Sequence, residues 1–167
     1  MSVLAPAQLF DAIRRQHGHY CPMSTLGGRM GFAARRHLGA APLRAICLVR
    51  SCAVDGIAVA TGCREADGSL RVSEQSRHAL LVGPVTGGQA LCVALSAAAV
   101  DLAWQYRRLD EALERERPRL AAPELEQRLA QKARFLDELL VRLRTLPEAE
   151  LLEIYPIDDT CLRESHA

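Results

Sequence analysis

Two imidazoles and a thiol stand at alternate positions in one short stretch, His17-Gly18-His19-Tyr20-Cys21-Pro22. Further along come Cys52-Ala53-Val54-Asp55-Gly56 and then Thr61-Gly62-Cys63. Nitrogen and sulfur ligands of this kind suit a borderline or soft transition metal, zinc above all, rather than calcium or magnesium. In an extended or turning segment alternate residues share a face, so His17, His19 and Cys21 can converge on one point. In a helix only His17 and Cys21, four apart, would do so. The competing reading is a glycine turn whose histidines cap a helix or bond backbone carbonyls. The second cluster tips the balance toward a metal.

The second cluster adds chemistry of its own. Cys52 is expected in the first turn of a helix, where backbone N–H groups and the macrodipole lower a thiol's pKa. Asp55, three residues on, shares that face. It can orient a ligand histidine through a hydrogen bond or accept a proton as a general base. Plainer readings exist for both: Cys52 as a small buried hydrophobe, Asp55 as a cap of its own helix. Cys63 lies just past the helix end, close enough in sequence to fold back toward Cys52. The metal-ligand candidates are therefore His17, His19, Cys21, Cys52 and Cys63, and the catalytic candidates are Asp55 and Cys52. Cys47 and Cys92 fall inside apolar runs and read as core. Cys161 and His166 read as part of a tail. Trp104 reads as packing.

The elements that must carry these residues follow from the apolar pattern. Gln8 to Gln16 reads as a short helix leading into the His motif. Ser24 to Leu38 reads as a second helix, ended by Arg35-Arg36-His37 and Gly39, since cations and glycine favour that pole. Its glycines, Gly27, Gly28 and Gly31, permit close backbone approach to another element or to a ligand. Arg44 to Arg50 fits a buried strand. Ser51 is an N-cap candidate for a helix from Cys52 to Thr61, closed by Gly62. Leu70 to Glu74 and His78 to Val82 suggest a hairpin beside the first strand. From about Gly88 a 4-3-4-4-3-4 spacing through Leu91, Leu95, Ala98, Leu102, Tyr106, Leu109 and Leu113 predicts one long helix. Pro118 to Pro123 breaks it, and Leu125 to Leu143 continues as a second. These two helices are expected to form an antiparallel hairpin, serving as core or as a dimer surface. Leu151 to Ile157 reads as extended. The fold class is thus α+β: a small antiparallel or mixed sheet packed with helices over residues 8–87, a long helical hairpin over 88–146 and an extended tail over 147–167, all in one domain.

The bulk numbers fit that picture. The 167 residues allow one domain with a real core, and 49% apolar with 25% charged residues is ordinary for a globular protein. A net charge of +1 supplies no field for nucleic acid, and 4% aromatics supply few stacking platforms. The stretch Met1 to Pro6 has no basic region ahead of an apolar one, and Ala90 to Ala103 is too short to span a bilayer. The expectation is a cytoplasmic protein without a nucleic-acid or membrane partner. Six cysteines in such a chain read as thiols or ligands before disulfides.

The paired motifs resemble those of the FmdE family, named for its link to formylmethanofuran dehydrogenase, in which HGHxCPG is followed by CxxDaiq and TGCTxGxGNL. Gly27, Arg29, Gly68-Ser69-Leu70 and the close at Leu146 to Ile154 extend the resemblance to nearly the whole chain. It implies an α+β core that dimerises and a pocket holding a metal. On motif match His17, His19, Cys21, Cys52, Asp55 and Cys63 carry over as pocket residues. Many members add a C-terminal treble-clef zinc finger; this chain ends without its cysteine pairs, and that second metal site is expected to be absent. Met23 stands where the family has Gly, Arg64 where it has Thr and Ala66 where it has Gly. Met23 is a candidate cofactor contact, as pocket filler or soft ligand. No pterin-binding or iron–sulfur motif is visible. The reading is therefore an accessory protein or separate enzyme of one-carbon, pterin or molybdenum-enzyme metabolism, with zinc or another transition metal, a possible small-molecule ligand and a homodimer through the C-terminal helices. The alternative is a binding or carrier protein for haem, a metal ion or sulfur.

Overall fold

The computed structural model describes residues 5–164; His166 and the first residues of the N-terminal stretch lie outside them. The fold is α+β, with one five-stranded mixed sheet in the order β2-β1-β3-β4-β5. The strands are β1 (Leu43–Cys47), β2 (Leu70–Val72), β3 (Ala79–Pro84), β4 (Ala90–Leu95) and β5 (Leu152–Ile157). The helices are α1 (Ala7–His17), α2 (Pro22–Leu38), α3 (Ala53–Thr61), α4 (Ala97–Glu116), α5 (Ala122–Thr145), α6 (Glu148–Leu151) and α7 (Thr160–Glu164). No helix among the described residues is long and apolar enough to cross a membrane.

Alternation along the strands divides the core in two. Leu43, Ala45, Cys47, Leu80, Val82, Leu91 and Val93 face the main helical layer with Leu26, Met30 and Ile57. Ile46, Leu48, Ala79, Cys92 and Ala94 face the other way, where Leu162 of α7 joins them. The segment after Leu146 is thus more than an extended tail: it supplies the edge strand β5 and the helix that covers the second face. Cys161 sits on that helix, exposed.

Two sequence expectations need correction. The segments around 70–74 and 78–82 do not pair with each other. β2 runs parallel to β1 on one side, and β3 runs antiparallel to β1 on the other. The intervening chain folds over the end of β1, where the Leu48 carbonyl accepts from the Gln75 and Arg77 N–H groups (2.8 and 3.4 Å). Nor does the long helix begin near Gly88. Ala90–Leu95 is a strand buried on both faces, pairing with β3 and β5. A four-residue spacing keeps Leu91 and Leu95 on one face of a strand as well as of a helix, so the stripe did not discriminate. The helix starts after Ser96, whose Oγ accepts from the Ala99 N–H (3.1 Å) and donates to the Glu150 carbonyl (2.7 Å). α4 and α5 follow one another across a short 3-10 turn, Arg117–Arg119, and are joined by Lys132–Asp110 (2.5 Å) and Arg128–Glu116 (3.0 Å).

The contact that sets the site is between α2 and α3. A Cβ at Gly27 would lie 2.1 Å from the Ala53 carbonyl oxygen, and one at Gly56 would lie 2.1 Å from that of Ser24. The helix backbones touch, and glycine on each side is what permits it. A second anchor is Arg29, only 3% exposed. Its guanidinium donates to the carbonyls of Leu143 (2.9 Å), Arg144 (2.9 Å) and Leu146 (2.8 Å). These are orphan acceptors at the end of α5, where a cation also complements the helix dipole. Burial lowers the Arg29 pKa and the Glu148 carboxylate opposes that shift.

Gly56→Ala is expected to lower the unfolding free energy by about 3 kcal/mol, because backbone separation outweighs the roughly 1 kcal/mol gained in helix propensity. Urea denaturation checks it; an unchanged midpoint would refute the contact. Arg29→Leu is expected to cost on the order of 3 kcal/mol in the same assay by stranding buried carbonyls.

Candidate metal centre

His17 is the last residue of α1. Gly18 then takes φ 97°, a left-handed conformation that ends the helix and reverses the chain. The reversal brings His19 back against His17, with ring centroids 4.5 Å apart. Cys21 follows as the extended N-cap of α2, with Pro22 in the first turn, where proline suits a helix. The segment therefore turns, and one ligand atom from each of His17, His19 and Cys21 lies within 4.8 Å of the others.

Each member is held in place. His17 Nδ1 is 2.6 Å from Asp55 Oδ2, which reaches across from the first turn of α3. The other ring nitrogen, Nε2, is buried with no hydrogen-bond partner among the described residues. An unpaired buried nitrogen is costly. A carboxylate on one ring nitrogen with the opposite nitrogen left bare is the arrangement that fixes a ligand histidine's tautomer. The Cys21 sulfur accepts from the Ser24 N–H at 3.2 Å and lies 3.3 Å from Ser24 Oγ. Tyr20, between the ligands, donates to Asp11 (3.0 Å), and its ring packs under the Arg144 guanidinium, 5.0 Å away. Phe10 flanks the same guanidinium at 5.1 Å. The donor set and the bare His17 nitrogen fit a transition-metal ion.

The remaining candidates divide. Cys52 is the N-cap of α3, next to Cys21. Its thiol differs from the expected low-pKa thiolate: burial of the sulfur pushes it up to about 11, and the charge and hydrogen bond of Cys21 and the charge of Asp55 add to the rise. The residue is exposed overall, so the desolvation is partial and the two neighbouring acids matter. A bound cation would reverse this balance. Cys63 is not brought to the group. α3 has nine residues, so its ends are about 14 Å apart. Cys63 sits beyond the far end, buried, where its thiol donates to the Leu43 carbonyl at 3.3 Å and burial raises its pKa.

Met23 lines a cavity of about 250 Å³ that opens beside Cys21 and Cys52. Arg64 and Ala66, the other departures from the motif, line a separate cleft that reaches Asp55. The first cavity also takes residues that the sequence reading did not assign to a site: His78, just before β3, and Trp104 and Tyr106 on α4. Burial raises the Tyr106 pKa, Lys132 opposes, and Asp110 and Cys21 raise it further. Nothing in the sequence marked His78. Tyr106 and Trp104 were indistinguishable from packing residues on a helical stripe.

Comparison with known proteins agrees with the motif reading. No match is found among curated proteins. One solved structure, an FmdE-like protein of tungsten formylmethanofuran dehydrogenase from Syntrophus aciditrophicus, superposes with a TM-score of 0.58 at 20% identity, covering 90% of this chain and 71% of that one. At that identity the likeness is one of fold. The family described as FmdE, molybdenum formylmethanofuran dehydrogenase operon, matches residues 16–153, a span holding all three clustered ligand candidates and Asp55, and the chain belongs to the FmdE family.

Proposed function

We propose that this FmdE-family protein binds zinc through His17 Nε2, His19 and Cys21, with Asp55 orienting His17 and one coordination position left to a small molecule. The observation that carries the reading is His17 itself: Nδ1 is taken by Asp55 at 2.6 Å while Nε2 is buried without a partner. Three protein ligands with an open fourth position characterise zinc sites that act on substrates, whereas four closed ligands characterise structural ones. When bound, zinc supplies Lewis acidity and lowers the pKa of a coordinated water to about 7.

The chain's own residues do the rest. Asp55 holds the His17 proton on Nδ1 and is available, with a side chain 41% exposed against 11% for His17, to exchange protons with solvent. Cys52 stands next to Cys21 on the cavity side. The role is an accessory or enzymatic one in one-carbon, pterin or molybdenum-enzyme metabolism; the support is the family's description and the name of the structurally similar protein from Syntrophus aciditrophicus. The protein acts as a cytoplasmic homodimer through its C-terminal helices, on which Leu109, Leu129 and Val141 remain exposed. The carrier readings have less support. A sulfur carrier needs a thiol of depressed pKa, and the Cys52 thiol is raised. The cavity of about 250 Å³ is small for a haem beside Met23.

Purified protein is expected to hold about one zinc per chain by elemental analysis, and His17→Ala with Cys21→Ala together to hold none. Zinc retained in the double variant would sink the ligand assignment. Asp55→Asn should weaken zinc by about 10–100-fold in competition with a chromophoric chelator, because the orienting charge is gone while the shape remains. Cys63→Ser should leave zinc affinity within about twofold of the parent, since that thiol lies a helix length away.

A further inference from the structure

Two imidazole nitrogens among the described residues are buried without a hydrogen-bond partner: His17 Nε2 and His78 Nδ1. The metal reading accounts for the first and leaves the second. Native structures leave few such atoms, and each calls for an explanation. His78 lines the cavity that opens beside Cys21 and Cys52. Pro22, Met23, Ala103 and Trp104 give that cavity apolar walls. Its two charged members are already partnered. Arg107 donates to Glu111 at 2.8 Å and stands 4.8 Å from the Trp104 ring, and Asp110 pairs with Lys132 at 2.5 Å. The cavity therefore offers apolar surface, no unbalanced charge and one imidazole in want of a partner. Small-molecule sites have this composition: apolar walls with a few polar groups that fix orientation.

We propose that this cavity is the ligand pocket of the protein and that it takes an uncharged, flat molecule with an apolar body, which donates a hydrogen bond from an N–H or O–H group to His78. His78 is a positioning residue: it sets which end of the ligand faces Cys21 and Cys52. The ligand class follows from the cavity alone. The open metal position beside it deepens the zinc reading, but the two stand or fall separately.

Trp104 is the chain's single tryptophan and forms part of the wall, so its fluorescence reports occupancy directly. The probes are benzamide, which has a flat ring and N–H donors, and methyl benzoate, which has a similar outline and no donor. Benzamide titrated into the metal-free protein is expected to change Trp104 fluorescence saturably and to bind about fivefold tighter than methyl benzoate, the worth of one neutral hydrogen bond. His78→Phe keeps a ring in place and should erase the preference between the two probes. Ala103→Leu should narrow the cavity and weaken both, with circular dichroism checking that it folds. No saturable response to benzamide, or a preference that survives His78→Phe, would overturn the proposal. The same titration on zinc-loaded protein separates the readings. Benzamide binding in a chain that takes no zinc removes the metal site and keeps the pocket; zinc uptake without benzamide binding does the reverse.

Discussion

The close approach of α2 and α3 is the constraint on which the rest depends. Helix axes normally stand 8–10 Å apart because side chains separate them. Here Gly27 meets the Ala53 backbone and Gly56 meets the Ser24 backbone. The glycines lie near the starts of their helices, so the two N-termini are drawn together. Those termini carry the chemistry. Cys21 caps α2, Cys52 caps α3, and Asp55 is one turn further on. A methyl group at either glycine would push apart the segments that hold the sulfur and the carboxylate.

The histidines then depend on α1. Gly18 lets the chain leave α1 backward, and Phe10 and Ile13 hold the helix beneath. Ile13 packs where a Cβ at Gly28 would otherwise stand, so a third glycine seats α1 on α2. Arg144 braces the connecting segment through Tyr20 and Phe10. Arg29 secures the helix end from which Arg144 comes. The order of dependence runs from glycine contacts to helix placement to ligand placement. Arginines supply hydrogen bonds that a mostly apolar core cannot.

Local signals were readable wherever one residue type has one strong use. Gly39 and Gly62, with φ near 79°, end the helices they were expected to end. Helix α1 was placed to within a residue at each end, and α2 gained only the turn capped by Cys21. Position in the sheet was harder. β2 and β3 read as neighbours because they are close in sequence, yet β1 separates them. Strand β4 read as helix because it is buried on both faces and carries no alternation. Sequence periodicity reports burial on a face, and an element with no exposed face gives it nothing to report.

The sequence by itself determined the chemistry on offer: two histidines and a cysteine at alternate positions, an aspartate one helical turn past a second cysteine, and the motif order of the FmdE family. Only the tertiary structure decided which of these meet. It joined Asp55 to His17 across the helix contact, set Cys52 beside Cys21, and left Cys63 a helix length away under the Leu43 carbonyl. It also turned α4 into a pocket wall and set His78 in the same cavity. Ligand types and local turns are properties of short segments. Convergence is a property of how helices pack, and packing is settled by contacts between residues far apart in the chain.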